Sequence, residues 1–218
     1  MSEPSRATDI SVLVLGASGS VGRLVVSEAR ARGIAVTAQT RDSSRLAGLD
    51  AAGQIVALDP TDSAALAATL PGHDAVIFAL GDRSRGTTLF SDATRALLPA
   101  MQATGVRRLI AITGVGAGET RGHGGFLYDH VIFPFFTRSI YADKDRQEAL
   151  IEASGLDWVI VRPAPFSEKP APGPVQVLTR IAPDTKLRRI TRAEVAGFVL
   201  DQLVSDAYLR TKPFIGHA

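Results

Sequence analysis

The sequence predicts an α/β fold in which a doubly wound parallel sheet is covered by helices on both faces. Three observations carry that reading. Short apolar, β-branched runs alternate with longer stretches of helical spacing along the whole chain. The first of these runs ends in a cluster of glycines where a helix opens. The chain has 218 residues, 45% hydrophobic and 21% charged, which suits one domain with a packed core.

Residues 1–9 are polar and mixed in charge, and are expected to form a disordered tail ahead of a single domain over 10–218. Residues 10–15 form a β-branched run ending at Gly16, as expected of a strand buried on both faces. Residues 20–32 carry Val21, Leu24 and Val25 at helical spacing, and Gly33 supplies the stop. Strands are expected at 34–40 and 54–58. An Ala-rich helix over 62–70 ends at Pro71-Gly72. A fourth strand over 74–80, a helix over 87–104 and a fifth strand over 106–113 follow. Residues 142–154 are strong helix formers ending before Gly155. A sixth strand over 157–161 is expected to stop at Arg162-Pro163. Five prolines from 163 to 174 read as a loop that crosses the surface or covers a site. Thr191 and Glu194 have capping-box spacing and open a helix through Val204. A short strand near 213–215 would close the sheet. The stretch after Val161 reads as a small C-terminal appendage that builds a substrate pocket.

Composition narrows the function. With no cysteine there is no disulfide, thiolate metal site, catalytic thiol or iron–sulfur cluster. A net charge of +2 is too small a surplus to suggest a nucleic-acid partner. No apolar segment precedes Ile10 and no run approaches the ~20 residues of a membrane span, so a soluble, cytoplasmic protein with no membrane partner is expected.

The sharpest motif is Gly16-Ala17-Ser18-Gly19-Ser20-Val21-Gly22, at the first strand-to-helix junction. Gly16 and Gly19 permit a tight turn that approaches a diphosphate closely, and Gly22 lets helix and strand pack together. Free backbone amides and the helix dipole favour an anion there. Such a turn is the mark of a Rossmann-type dinucleotide fold; the alternative is a tight turn without a ligand.

With this spacing, further markers fall in order. They are Arg41, Leu58-Asp59-Pro60-Thr61-Asp62, Ala79-Leu80-Gly81, Ile112-Thr113-Gly114, Lys144 with Glu148, Ser154 to Trp158, and Val161-Arg162-Pro163. Together they resemble the short-chain dehydrogenase/reductase superfamily, in its atypical NAD(P)H-binding branch near NmrA-like proteins and biliverdin-IXβ/flavin reductases. The likeness implies that Asp59 bonds the adenine, that Leu58 or Pro60 lines its slot, and that Ala79, Leu80 and Gly81 admit ribose and diphosphate. It also places Pro163 and Ala164 beside the nicotinamide, and aligns Lys144 with a cofactor-facing lysine. Asp59 as a simple turn-former, with Asp62 as a helix cap, is the competing reading.

Cofactor choice turns on Arg41, about 20 residues beyond Gly22, whose guanidinium suits a 2′-phosphate and so favours NADP over NAD. Ser43, Ser44 and Arg45 could add donors. Asp42 argues for NAD if its side chain points inward.

Typical members of the superfamily transfer a proton with a Tyr-x-x-x-Lys pair and a serine after the fifth strand. Here Tyr141 and Lys144 are one residue closer and Thr113 stands near the serine position. Both spacings keep the pair on one helix face if Tyr141 lies inside the helix. Tyr128 is a second candidate proton donor, and Lys144 with Glu148 would otherwise form a helix-surface pair. Residues 115–134, rich in glycine and aromatics, read as a lid or pocket wall, or as the contact of a homodimer. His123, Asp129 and His130 are irregularly spaced, so no metal is expected.

The reading is therefore an NADP-dependent oxidoreductase moving hydride to a small carbonyl, quinone, flavin or tetrapyrrole-like acceptor. The alternatives are a non-catalytic NADP(H) sensor of the NmrA-like type and a nucleotide-sugar epimerase.

Overall fold

The computed structural model describes residues 10–47, 53–82, 84, 86–114, 138–182, 185 and 187–218. The tail, the segment 115–137 with Tyr128, His123, Asp129 and His130, and Arg83 and Arg85 of the loop after the fourth strand lie outside them.

The first half alternates strictly: β1 (Ser11–Leu15), α1 (Gly22–Ala31), β2 (Ala35–Thr40), β3 (Gln54–Ala57), α2 (Ser63–Thr69), β4 (Ala75–Phe78) and α3 (Leu89–Thr104). Then come β5 (Arg108–Ile112), α4 (Arg138–Glu152), β6 (Asp157–Pro163), β7 (Phe166–Ser167), β8 (Gln176–Leu178), β9 (Ile190–Thr191), α5 (Arg192–Asp201) and β10 (Phe214–Gly216). The main sheet runs β3-β2-β1-β4-β5-β6-β10-β8, parallel throughout except for antiparallel β8. Strand order therefore reverses between β1 and β4. Chains diverging from that point leave a crevice at the carboxyl ends of the strands, where such sheets take their ligands.

β1 shows why its sequence lacks alternation. Val12 and Val14 pack on the side carrying α1 and α5, while Leu13 and Leu15 pack on the side carrying α2, α3 and α4. All four are fully buried, as a strand between two helical layers requires.

Local signals set most boundaries. The Asp62 carboxylate accepts from the Ala64 and Ala65 amides at 3.0 Å and caps α2. Thr191 and Glu194 form the expected capping box. Other boundaries move for tertiary reasons. α4 starts at Arg138 rather than at 142, which places Tyr141 inside the helix. β6 does not stop at Val161, because β10 pairs with it as far as Pro163. The missing N–H of Pro163 falls on the side facing β5, which has already ended at Ile112, so no ladder bond is lost. β7 interrupts the expected proline loop. β10 and β8 are integral to the main sheet, and α5 ends at Asp201, short of Val204. No helix among the described residues is long and apolar enough to cross a membrane.

Candidate functional site

The crevice begins with the turn after β1. The Gly16 amide donates to Gln39 Oε1 at 2.8 Å, the Ala17 amide to the Gln39 carbonyl at 3.0 Å, and the Gly19 amide to the Gly16 carbonyl at 2.9 Å. Gln39 Nε2 in turn donates to the Leu58 carbonyl at 2.8 Å, so one buried glutamine on β2 ties the turn to the end of β3. Gly16 has φ +80, and a Cβ there would lie 2.7 Å from the Ala79 carbonyl oxygen. A Cβ on Gly22 would overlap the Gly16 carbonyl oxygen. Close packing thus leaves no room for any residue but glycine at either place. Among the described residues, the amides of Ser18, Ser20 and Val21 are left without a protein acceptor. Amides held this way at the head of a helix suit a diphosphate.

Gly16, Ser18 and Gly19 share one cleft with Thr40, Arg41, Arg45 and Pro60 on one side. Leu80, Gly81 and Leu89 close it on the other. Arg41 and Arg45 are exposed along its rim. The Asp42 carboxylate is turned into its own chain, where Oδ1 accepts from the Ser44 hydroxyl at 2.6 Å and the Ser44 amide at 3.0 Å and caps a 3-10 turn at Ser43–Leu46. These bonds, the hydroxyl foremost, hold it below the usual carboxylate range. Asp59 forms a similar turn: its Oδ1 accepts from the Thr61 amide at 2.9 Å and hydroxyl at 2.7 Å, and the same bonds lower its pKa.

At the carboxyl end of β5, three side chains of α4 meet three successive residues. A Cβ on Gly114 would lie 3.1 Å from the Tyr141 hydroxyl. Lys144 Nζ donates to the Ile112 carbonyl at 3.3 Å and stands 4.4 Å above the Phe90 ring. Burial pushes Lys144 down to about 8, against the opposing charges of Glu148 and Asp143. The Thr113 hydroxyl donates to Glu148 Oε1 at 2.7 Å. Glu148 is not the surface partner of Lys144 expected from their spacing. It is buried and takes the Arg162 guanidinium through Nε at 3.1 Å and through Nη2. Asp143, also buried, accepts from the Phe90 and Ser91 amides and so fixes α4 to the head of α3. Pro163 ends β6 alongside, and the Ala164 amide donates to the Ile215 carbonyl at 2.8 Å.

The structure thus gathers Gly16, Ser18, Gly19, Arg41, Pro60, Leu80 and Gly81 around one cleft, with Ala79 packed against the turn; Ala17, Ser20, Val21 and Gly22 belong to the turn but do not line the cleft. Tyr141, Lys144 and Thr113 gather at the end of β5. Asp59, next to Pro60, does not line the cleft and is engaged in its own turn with Thr61. Gln39, Glu148 and Arg162 carry roles that sequence reasoning did not assign. A polar glutamine inside the otherwise apolar second strand was the available signal for the first. A larger hollow of about 800 Å³ opens at the opposite, amino end of the strands, beside Ile10, Gly105 and Val204. Its arginines are paired, Arg107 with Asp157 and Arg108 with Asp206, and no predicted site residue borders it.

Residues 16–206 match the model of a family described as NAD(P)H-binding. The chain belongs to this NAD(P)H-binding family. Among its relatives is the Bacillus subtilis (strain 168) protein named "Uncharacterized sugar epimerase YhfK", 28% identical over 88% of this chain and 87% of that one. A Rossmann-fold NAD(P)-binding family protein from Shigella flexneri superposes with a TM-score of 0.73, at 24% identity, over 96% of this chain and 94% of the other. A short-chain dehydrogenase/reductase from Veillonella parvula, solved in complex with NADP, superposes with a TM-score of 0.78 at 15% identity, over 95% of this chain and 94% of the other. The family is therefore NAD(P)H-binding, and the expected likeness to short-chain dehydrogenases/reductases is present in the fold.

Proposed function

We propose that the protein is an NADP-dependent oxidoreductase acting on a small carbonyl, quinone, flavin or tetrapyrrole-like acceptor. The observation that carries this reading is a crevice that runs from Arg41 and Arg45, past the glycine turn, to Leu80, Gly81 and Leu89. Tyr141 and Lys144 stand at the end of β5, the strand next to β4.

In this reading the turn over residues 16–22 receives the diphosphate, and Arg41 with Arg45 receives the 2′-phosphate. Asp59 and Pro60 border the adenine, Lys144 bonds the ribose hydroxyls, and Pro163 and Ala164 border the nicotinamide. The bound dinucleotide supplies hydride chemistry. The chain's own work is to orient, to exclude water and to move a proton, and Tyr141 is the proton donor within reach of the end of β5. With Asp42 committed to Ser44, the acidic side chain that would favour NAD is withdrawn from the cleft. Arg41→Ala is expected to weaken NADPH by ~1–3 kcal/mol and to leave NADH unchanged in calorimetric titration. Equal losses for both would remove Arg41 as the phosphate reader.

The lysine adds a pH dependence. Its ammonium form is present below about 8 and is lost above it. If the bound state needs the ammonium, binding above that pH must also take up a proton, so affinity falls as pH rises, by up to about tenfold per unit. NADPH affinity is therefore expected to drop between pH 8 and 9 in the wild type and to stay level in Lys144→Met.

The function itself is tested by NADPH consumption, followed at 340 nm, with aldehydes, quinones, flavins and a linear tetrapyrrole. Oxidation by at least one class, slowed in Tyr141→Phe, is the expected result. Tight binding with no consumption across the panel would instead make the protein a dinucleotide sensor. The name of the Bacillus subtilis relative favours a second reading, sugar epimerisation, in which a sugar nucleotide changes configuration with no net NADPH loss.

A further inference from the structure

We propose that Gln39 is a positioning residue for the dinucleotide: its carboxamide aligns the glycine turn with the wall of the cleft that follows β3. The inference rests on the cofactor reading above and deepens it. It names what makes the cleft prefer a whole dinucleotide to its adenosine half.

The argument starts from the place of β2, which lies between β1 and β3 in the sheet. A side chain near its end can therefore reach both neighbours. Gln39 borders the cleft but is only 1% exposed. The Gly16 N–H is a donor and can face only Oε1, while the Leu58 carbonyl is an acceptor and can face only Nε2. Both contacts measure 2.8 Å, so the two ends of one planar amide are engaged and its orientation is fixed. A carboxylate here would turn an oxygen toward the Leu58 carbonyl. An apolar side chain would offer nothing to either wall.

The β2 backbone also holds each wall. The Ala17 amide donates to the Gln39 carbonyl and the Leu58 amide to the Thr40 carbonyl, both at 3.0 Å. One such bond acts as a pivot. The second, to the side chain, fixes the direction in which the chain leaves the strand. From Gly16 the chain runs on to Ser18 and Gly19, and from Leu58 to Pro60, and all of these line the cleft.

Without the amide, the Gly16 N–H and the Leu58 carbonyl lose their partners. A buried polar group left unpaired is costly, so each would shift toward water. The turn would keep its internal bond from the Gly19 amide to the Gly16 carbonyl, 2.9 Å, and so persist as an anion site. Its distance from Pro60 would no longer be set. A ligand that bridges the turn and the Pro60 wall is then penalised more than one resting on the arginine side alone.

The test titrates NADP⁺ and 2′-AMP, the adenosine half without the diphosphate, into wild type, Gln39→Leu and Gln39→Met by calorimetry. Leucine is shorter than glutamine and methionine matches its length, and neither carries a donor. The advantage of NADP⁺ over 2′-AMP measures what the diphosphate contributes. That advantage is expected to shrink about tenfold in the variants. A role confined to stability would weaken both ligands equally or neither, and either result would overturn the inference. Hydrogen exchange of the ligand-free wild type, read by NMR, needs no variant to fold. The Gly16 amide is expected to be protected about tenfold or more above those of Ser18, Ser20 and Val21. Equal protection would overturn the inference. Failure of the wild type to bind NADP⁺, or binding of 2′-AMP as tight as that of NADP⁺, would instead overturn the reading on which it rests.

Discussion

Replacing Glu148 by alanine is expected to cost about 3–5 kcal/mol of stability, because it removes the buried carboxylate that holds both Nε and Nη2 of the Arg162 guanidinium. Arg162 is 1% exposed and is among the largest fully buried side chains of the protein. It sits on β6, with β5 on one side and β10 on the other, so it cannot swing out to water. Native domains have ~5–15 kcal/mol in hand, so the loss is a large fraction of the whole. Glu148→Ala also removes the acceptor of the Thr113 hydroxyl. Urea unfolding reports the change through the single tryptophan, Trp158, which lies on the same strand as Arg162. A loss below about 1 kcal/mol would show that the pair contributes as little as an exposed one.

The second large effect is expected from Gly22→Ala. The added Cβ would overlap the Gly16 carbonyl oxygen and approach its carbonyl carbon to 2.9 Å and Ala17 Cα to 3.0 Å. All three are backbone atoms, so no side chain can give way. Gly16 cannot retreat either, since Gln39 holds its amide and Ala79 and Leu80 lie against it. The turn must open. Overpacking of this kind costs about 1–3 kcal/mol of stability. Losing about two amide bonds to the diphosphate should weaken NADPH on the order of a hundredfold. Gly81→Ala is the control for stability, because a Cβ there meets nothing within 4 Å. An NADPH affinity in Gly22→Ala within about threefold of wild type would contradict the assignment of the turn.

Much of the fold was legible because its determinants are local. Gly16 to Gly22 mark a strand-to-helix turn, Asp62 and the Thr191–Glu194 box cap helices, and runs such as residues 10–15 carry their burial in their composition. What escaped depends on partners distant in the chain. Arg162 before Pro163 looks like the end of a strand on a surface. It is buried because Glu148 lies on the facing helix and β10, some 50 residues later, pairs beside it. Likewise, Lys144 and Glu148 have the spacing of a surface pair, and only packing of α4 against β5 and β6 turns them inward. β7 and β9, two residues each, exist only through their pairing with one another. In the candidate site, the glycine turn and Arg41 were legible as types at a spacing. The engagement of Asp42 with Ser44 and of Thr113 with Glu148 was not, because the direction of a side chain depends on its neighbours in space.

The central claim is that the crevice at the carboxyl ends of β1 and β4 holds a dinucleotide bearing a 2′-phosphate. Calorimetric titration of the wild-type protein with NADPH and, separately, NADH tests it most directly. Saturable one-to-one binding of NADPH, tighter than NADH by tenfold or more, is the result expected from Arg41 and Arg45 at the rim. Binding of neither nucleotide would contradict the account, and tighter binding of NADH would contradict the role given to the two arginines.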